Sequence, residues 1–184
     1  MAATLSLMVP LGTKAFEFSL KDSTTGNNVA LNQLKGTKGT VVMFLCNHCP
    51  YVKHIYYHLA HLTPKYQDHG VSFIGINSNN FLAYPDDSPE KMKNLALELG
   101  YKFPYLIDEI QEVAKAYNAT CTPDFFVYDS AMKLVYRGQY DNSRPNNGIP
   151  VTGNDLKSAL DAIISNTPIN PDQIPSLGCN IKWK

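Results

Sequence analysis

The run Thr40-Val41-Val42-Met43-Phe44-Leu45-Cys46, followed four residues later by Pro50 and a helical apolar repeat, constrains this chain more than any other segment. A continuous β-branched and apolar run is expected of a strand covered on both faces, inside a sheet with parallel neighbours. Pro50 suits a first helical position, because its missing N–H would have been unpaired there anyway. Ile55, Leu59, Leu62 and Tyr66 then recur at i, i+4, i+7 and i+11, one apolar helix face. Gly70 ends that helix, and Val71-Ser72-Phe73-Ile74-Gly75-Ile76 reads as a second buried strand. The result is a βαβ crossover, and chemistry in such sheets gathers at the carboxyl ends of the strands. Cys46-Asn47-His48-Cys49 falls at that edge.

Ahead of this unit, Ala15-Phe16-Glu17-Phe18-Ser19-Leu20 alternates apolar and polar, the pattern of a half-buried strand. The polar cluster 22–28 reads as a turn and 29–31 as a returning strand, making an N-terminal β-hairpin. Beyond the unit, residues 77–87 form a polar loop, Ser88-Pro89-Glu90 opens a helix reaching Leu99-Gly100, 103–108 are extended and 110–117 make a short helix. Residues 123–129 and 133–137 predict a hairpin turning at Ser130-Ala131-Met132, and 154–165 a closing helix that buries Leu156, Leu160 and Ile163. From Thr167 the chain is proline-rich, with neither helical nor strand period. The expected architecture is α/β, a mixed central β-sheet flanked by helices. It forms one domain over 1–184, with a core of about 16–165 and an extended C-terminal tail over 166–184.

Composition narrows the function classes. Sixteen basic residues balance sixteen acidic ones, so no global field draws the chain to nucleic acid or an anionic membrane. No apolar run approaches the ~20 residues that span a bilayer. The apolar patch within 1–12 has no preceding Lys or Arg, which makes it a poor secretory signal. Four cysteines in 184 residues are too few for a disulfide framework. The expectation is a cytoplasmic protein, monomeric or homodimeric, that binds neither nucleic acid nor membrane and keeps a few cysteines for chemistry.

A thiol at a helix N-terminus faces free backbone N–H groups and the positive end of the helix dipole. Both favour thiolate, and a cysteine pKa near 8.5 falls to between about 3.5 and 7.5 in such places. Cys49 immediately precedes Pro50 and takes that position; His48 beside it adds positive charge when protonated. Cys46 and Cys49 together make a Cys-x-x-Cys, which near a βαβ pattern signals a thioredoxin-like redox motif.

The run Val41-Val42-Met43-Phe44-Leu45-Cys46-Asn47-His48-Cys49-Pro50-Tyr51-Val52-Lys53 resembles the active-site segment of thioredoxin-like and thiol-specific antioxidant (AhpC/TSA, peroxiredoxin-like) proteins. Phe103-Pro104-Tyr105-Leu106-Ile107-Asp108 with Val113-Ala114-Lys115-Ala116-Tyr117 is similar to their middle segment, and Thr122-Pro123 ahead of Phe125-Phe126-Val127 to their cis-proline loop. The similarity runs from about 16 to 164. It implies a thioredoxin-like fold and a thiol–disulfide oxidoreductase with no metal or other cofactor, a disulfide substrate and an external thiol reductant. In the family pattern the first cysteine opens the helix and the second lies one turn inside it. Counted from Phe44, the first position is Cys49 and the second is Val52. Cys49 inherits the nucleophile role, with Cys46 three residues before it in the strand-to-helix loop. The resolving thiol stays open between Cys46 and Cys121, which the resemblance places in the loop facing the nucleophile. Thr122 and Pro123 are implied to offer extended backbone to a substrate peptide or small thiol. Cys179 sits in a tail with the only tryptophan, Trp183, and reads as structural, in a tail docked by that ring; a C-terminal resolving thiol is the other reading.

The alternative activity is a thiol peroxidase acting on hydroperoxides. A peroxiredoxin site resembles Pro-x-x-x-Thr-x-x-Cys, with a distant arginine that orients peroxide and stabilises developing charge. Here Cys46 replaces the threonine and Val42 the proline, while Arg137 on the hairpin strand or Arg144 in the next loop is the candidate cation. Disulfide exchange asks for a thiolate, a resolving thiol and a groove, all of which have candidates, so it comes first. Zinc binding by Cys46, His48 and Cys49, or by His54, His58 and His61, lacks a convergent fourth ligand. It ranks last, together with a non-catalytic binding module. Asn77, Asn79 and Asn80, at the same sheet edge as Cys49, read as loop caps, with the shaping of a substrate groove as the other reading.

Overall fold

Along residues 3–184, which the computed structural model describes, ten strands and four α-helices follow one another in a βαβ-like alternation. In chain order they are β1 (Ala3–Leu5), β2 (Ser19–Asp22), β3 (Asn28–Ala30), β4 (Gly39–Phe44), α1 (Pro50–Gln67), β5 (Val71–Asn77), α2 (Pro89–Leu99), β6 (Tyr105–Ile107), α3 (Glu112–Ala116), β7 (Cys121–Thr122), β8 (Asp124–Asp129), β9 (Leu134–Gly138), α4 (Asn154–Ser165) and β10 (Leu177–Asn180). Seven strands form one sheet in the order β3-β2-β6-β5-β4-β8-β9. β4, β5 and β6 run parallel at its centre, and antiparallel strands flank them. No helix among the described residues is long and apolar enough to cross a membrane.

The uninterrupted apolar run of β4 has a direct cause. Val41 and Met43 enter the cluster under α1, α2 and α4, with Ile55, Leu59, Leu62 and Tyr66 of α1. Val42 and Phe44 point the other way, into the cluster containing Ala114 of α3 and Tyr117 just beyond it. A strand alternates its side chains between faces, so a strand covered on both has no polar position to spare. Each fully buried Val, Leu or Phe contributes roughly 1.5–3 kcal/mol relative to exposure. Ser88 caps α2 by accepting the Lys91 N–H, and Gly100 closes it in the left-handed region at φ 66°.

Two sequence expectations are corrected. The strand expected over residues 15–20 lies over Ser19–Asp22, and it is preceded by β1. The Asp22 carboxylate accepts the Thr24 N–H and the Thr24 and Thr25 hydroxyls, which fixes the turn and shifts the paired stretch forward, leaving Phe16 half exposed. The tail is not without strand structure. β10 lies between β1 and β7 in a second, three-stranded sheet, antiparallel to both. Strand pairing anchors the tail, while Trp183 stays 42% exposed and only meets Lys115 across its ring face.

Candidate active site

Pro50 decides where α1 begins, and therefore where Cys49 sits. Cys49 is the N-cap residue, extended at φ −69° and ψ 125°, with Pro50 in the first turn. The Val52 N–H, one of the donors left free by the helix start, favours the charged form of its sulfur. Cys46 leaves the end of β4 and returns to the same place. Cys46 Sγ lies 3.1 Å from Thr122 Oγ1, and Cys49 Sγ lies 3.2 Å from Thr122 O, to which the thiol form donates. The Thr122–Pro123 peptide is cis.

Cys179 of β10 completes a cluster of three thiols. Its register partner is Thr122, so the strand carries it onto the Cys49 sulfur. The thiol and the backbone N–H of Cys179, like the Cys46 thiol, lie near enough to Cys49 to favour its charged form. Cys49 is fully buried, and burial alone would raise its pKa. The hydrogen bond from Cys46 is the larger effect, and with those from Cys179 and Val52 it brings Cys49 down to about 5. Burial and donation to Cys49 push the partners the other way, Cys46 well above the thiol range and Cys179 to about 12. The arrangement therefore favours ionisation at Cys49 over either neighbour.

His48 is bonded to a carboxylate and not to a sulfur. Its Nδ1 meets Asp87 Oδ2 at 2.5 Å and its ring stacks on Tyr84 at 5.3 Å. Asp87 also accepts the Asn47 N–H at 2.6 Å and the Asn79 side-chain amide at 2.8 Å. Burial raises its carboxyl, but the bonds from His48, Asn79 and Asn47 outweigh that and hold it below the ordinary carboxylate range. Cys46, His48 and Asp87 present ligand atoms within 4.8 Å of one another, the one grouping of this kind among the described residues. The Asp87 oxygens already accept three donors, and Cys46 holds Thr122 and Cys49, so these residues are engaged with one another. His54, His58 and His61 do not converge: His58 bonds the Tyr140 hydroxyl and His61 the Tyr57 carbonyl.

The model of the AhpC/TSA family matches residues 11–137, from ahead of β2 into β9. The chain belongs to the AhpC/TSA family. Thiol-disulfide oxidoreductase ResA of Bacillus thuringiensis (strain Al Hakam) is 31% identical over 126 residues, covering 68% of this chain and 67% of that one. The crystal structure of an uncharacterized conserved protein from Geobacillus kaustophilus superposes with a TM-score of 0.98 at 56% identity, covering 100% of this chain and 97% of that one. The thioredoxin domain of a thiol-disulfide oxidoreductase from Bacteroides vulgatus, 20% identical, covers 71% of this chain and 89% of its own with a TM-score of 0.59. The fold is thioredoxin-like. The AhpC/TSA match stops before α4 and β10, so Cys179 lies outside it, whereas the Geobacillus likeness extends over the tail.

Within this family frame, three expected site residues are placed differently. Cys121 is buried and its thiol points at the Pro123 carbonyl, 3.9 Å away, with no hydrogen bond to Cys49. Neighbouring strand residues face opposite sides, so β7 turns Thr122 toward the sulfurs and Cys121 away. Burial pushes the Cys121 thiol well above its usual range. Arg137 is fully buried, paired with Asp124 Oδ2 at 3.0 Å, donating to the Asn118 carbonyl at 2.8 Å and lying 4.2 Å over the Phe126 ring. It is a core residue that faces no open groove. Arg144 donates to the Asp141 and Ser143 carbonyls and to the Gln139 side chain. Thr122 and Pro123 do border the thiols, but the backbone expected to be open to substrate is taken by β10.

Sequence reasoning missed Asp87, which lies in a polar loop with no motif of its own, and read Asn79 only as a loop cap. Only its position in the loop after the central strand β5 could have drawn attention to Asp87. Asn79 is more than a cap: its side-chain carbonyl accepts the Lys182 N–H at 2.8 Å and so ties the tail to Asp87.

The lowered Cys49 pKa is testable. A hydrogen bond to a charged group is worth roughly 1.5–3 kcal/mol, about one to two pKa units. Cys46→Ala is therefore expected to raise the alkylation midpoint of Cys49 from about 5 by roughly one to two units. Reactivity in the parent should persist as pH falls toward 5 and be lost below it, read by iodoacetamide labelling against pH. An unchanged midpoint in the variant would remove Cys46 as the main donor.

Proposed function

We propose that this AhpC/TSA-family chain is a thiol–disulfide oxidoreductase whose nucleophile is the Cys49 thiolate. One observation carries the reading: a cysteine at a helix start, buried in one cluster with Cys46 and Cys179, whose thiols favour its charged form. A thiolate is the attacking species in exchange, and a thiol within bonding reach is what the second step requires. The resemblance to proteins bearing the name thiol-disulfide oxidoreductase agrees with it.

In the proposed reaction, Cys49 Sγ attacks one sulfur of a substrate disulfide. The new S–S bond forms as the old one breaks, and one substrate thiolate leaves. A neighbouring protein thiol loses its proton and attacks Cys49 Sγ, releasing the second substrate thiolate and closing an intramolecular disulfide. Two electrons pass from the protein dithiol to the substrate, and an external thiol later restores the dithiol.

A hydroperoxide is the second candidate substrate. Peroxidase chemistry asks for donors or a cation at the developing oxyanion. Arg137 is committed to Asp124 and Asn118, and Arg144 to the loop 139–144, so neither guanidinium meets Cys49. The test is a stopped-flow comparison of reduced protein with a small aromatic disulfide and with hydrogen peroxide, at equal concentration and neutral pH. The expected result is a second-order rate at least about tenfold higher with the disulfide, because no guanidinium meets Cys49 to stabilise the charge that develops on a peroxide oxygen. A faster reaction with peroxide would move the protein to the peroxidase reading.

A further inference from the structure

The tail occupies the place where a substrate would have to lie. β7 is only two residues long and stands at the edge of its sheet, with β10 as its strand partner. β10 pairs with it antiparallel, Cys179 opposite Thr122 and Asn180 opposite Cys121, and Ile181 N donates to Thr120 O at 2.9 Å. An edge of this kind accepts an extended segment through main-chain bonds. The residue before Cys179 has to be glycine, since a Cβ on Gly178 would fall 2.0 Å from Thr122 O. That close approach presses the strand onto the Thr122 carbonyl, 3.2 Å from Cys49 Sγ. With β10 in place the nucleophile is fully buried.

We propose that the C-terminal strand is an internal substrate and that Cys179, presented by it, is the thiol that resolves Cys49, so that oxidation closes a Cys49–Cys179 disulfide. This rests on the oxidoreductase reading and assigns its second thiol. In the cycle, β10 lifts from β7, a substrate disulfide reaches Cys49 and leaves a mixed disulfide with one thiolate expelled. The strand returns, Cys179 gives up its proton to the solvent and attacks Cys49 Sγ. The bond from Cys49 to the substrate breaks, the second substrate thiolate departs, and the Cys49–Cys179 bond forms.

Cys46 is the competitor, and the surroundings separate the two. Burial raises both thiols foremost, and donation to the Cys49 thiolate raises them further. Once Cys49 is in a mixed disulfide its charge is gone. Asp87 still opposes ionisation of Cys46, whereas Lys182 favours that of Cys179. Cys46 is also held from two sides, by the end of β4 and by Thr122, while Cys179 belongs to the segment that has to move for any substrate to enter.

The experiment uses glutathione disulfide, one equivalent added to the fully reduced full-length protein, followed by an acid quench and mass-spectrometric mapping of every cysteine. The expected product is a Cys49–Cys179 disulfide with both glutathiones released. Cys46→Ala should form the same bond. Cys179→Ser should hold glutathione on Cys49 and release it at least tenfold more slowly. A Cys49–Cys46 bond in the unaltered protein overturns this inference and leaves the oxidoreductase reading standing. Failure of Cys49 to take up glutathione, while it still alkylates after denaturation, overturns both. The map of the unaltered protein decides the matter even if a variant folds poorly.

Discussion

Cys49→Ser is expected to lower disulfide exchange on the order of a thousandfold or more, with little change in thermal stability. The serine hydroxyl is not ionised near neutral pH and cannot form a disulfide, so the covalent intermediate disappears rather than merely weakening. None of the remaining thiols substitutes for it. Burial pushes Cys46 and Cys121 well above the thiol range, and Cys179 stands at about 12. The Thr122 carbonyl that accepts the Cys49 thiol is available to a serine hydroxyl, so the variant keeps a partner in the site. The measurement is the rate with a small aromatic disulfide, alongside a melting curve. Activity within tenfold of the parent would place the nucleophile elsewhere.

The second large effect concerns stability. Arg137 and Asp124 are both fully buried, and the guanidinium Nε and Nη1 find no partner among the described residues. Burial raises the Asp124 carboxyl to about 6 against the pull of Arg137, so desolvation is a substantial cost even with the pair intact. Asp124→Ala leaves the guanidinium buried with only the Asn118 carbonyl to accept from it, and arginine cannot escape by losing its proton. Breaking a buried pair in this way costs about 3–5 kcal/mol. For a chain of this length that is a fall in Tm of roughly 6–20 °C. Replacing both partners with apolar residues should recover much of the loss, since the penalty is the uncompensated charge and not the missing attraction. A Tm within about 2 °C of the parent for the single variant, less than roughly 1 kcal/mol, would mean that the guanidinium finds water or another acceptor.

Both expectations separate residues that sequence reasoning had grouped together. Arg137 was a candidate for substrate binding because it lies on the hairpin strand, where a peroxiredoxin-like site draws its distant arginine. The structure gives it neighbours that account for it wholly as a core residue: a carboxylate, a carbonyl and the Phe126 ring. Cys121 was a candidate for resolution because it stands two residues before Pro123. It is the alternation of β7, a matter of which face each residue takes, that turns it from the nucleophile.

The βαβ unit around Cys49 was legible in the sequence because its signals are local. A doubly buried strand has to be apolar throughout, a helix start favours proline, and the apolar repeat of α1 follows from 3.6 residues per turn. Those three facts place Cys49 at the N-cap without any tertiary information, and the displacement of Cys46 into the preceding loop follows by counting. Thr122-Pro123 was visible through the resemblance. The partners of Cys49 were not. Cys179 is 130 residues away in sequence (179 − 49), in a stretch with no strand period, because a four-residue strand held between β1 and β7 needs no amphipathic pattern to be stable. Asp87 and Asn79 come from a loop whose shape is set by hydrogen bonds to the tail. Local chemistry determined which sulfur would be the nucleophile. Only the tertiary structure could decide which thiols surround it, since main-chain pairing between distant segments carries no side-chain signature.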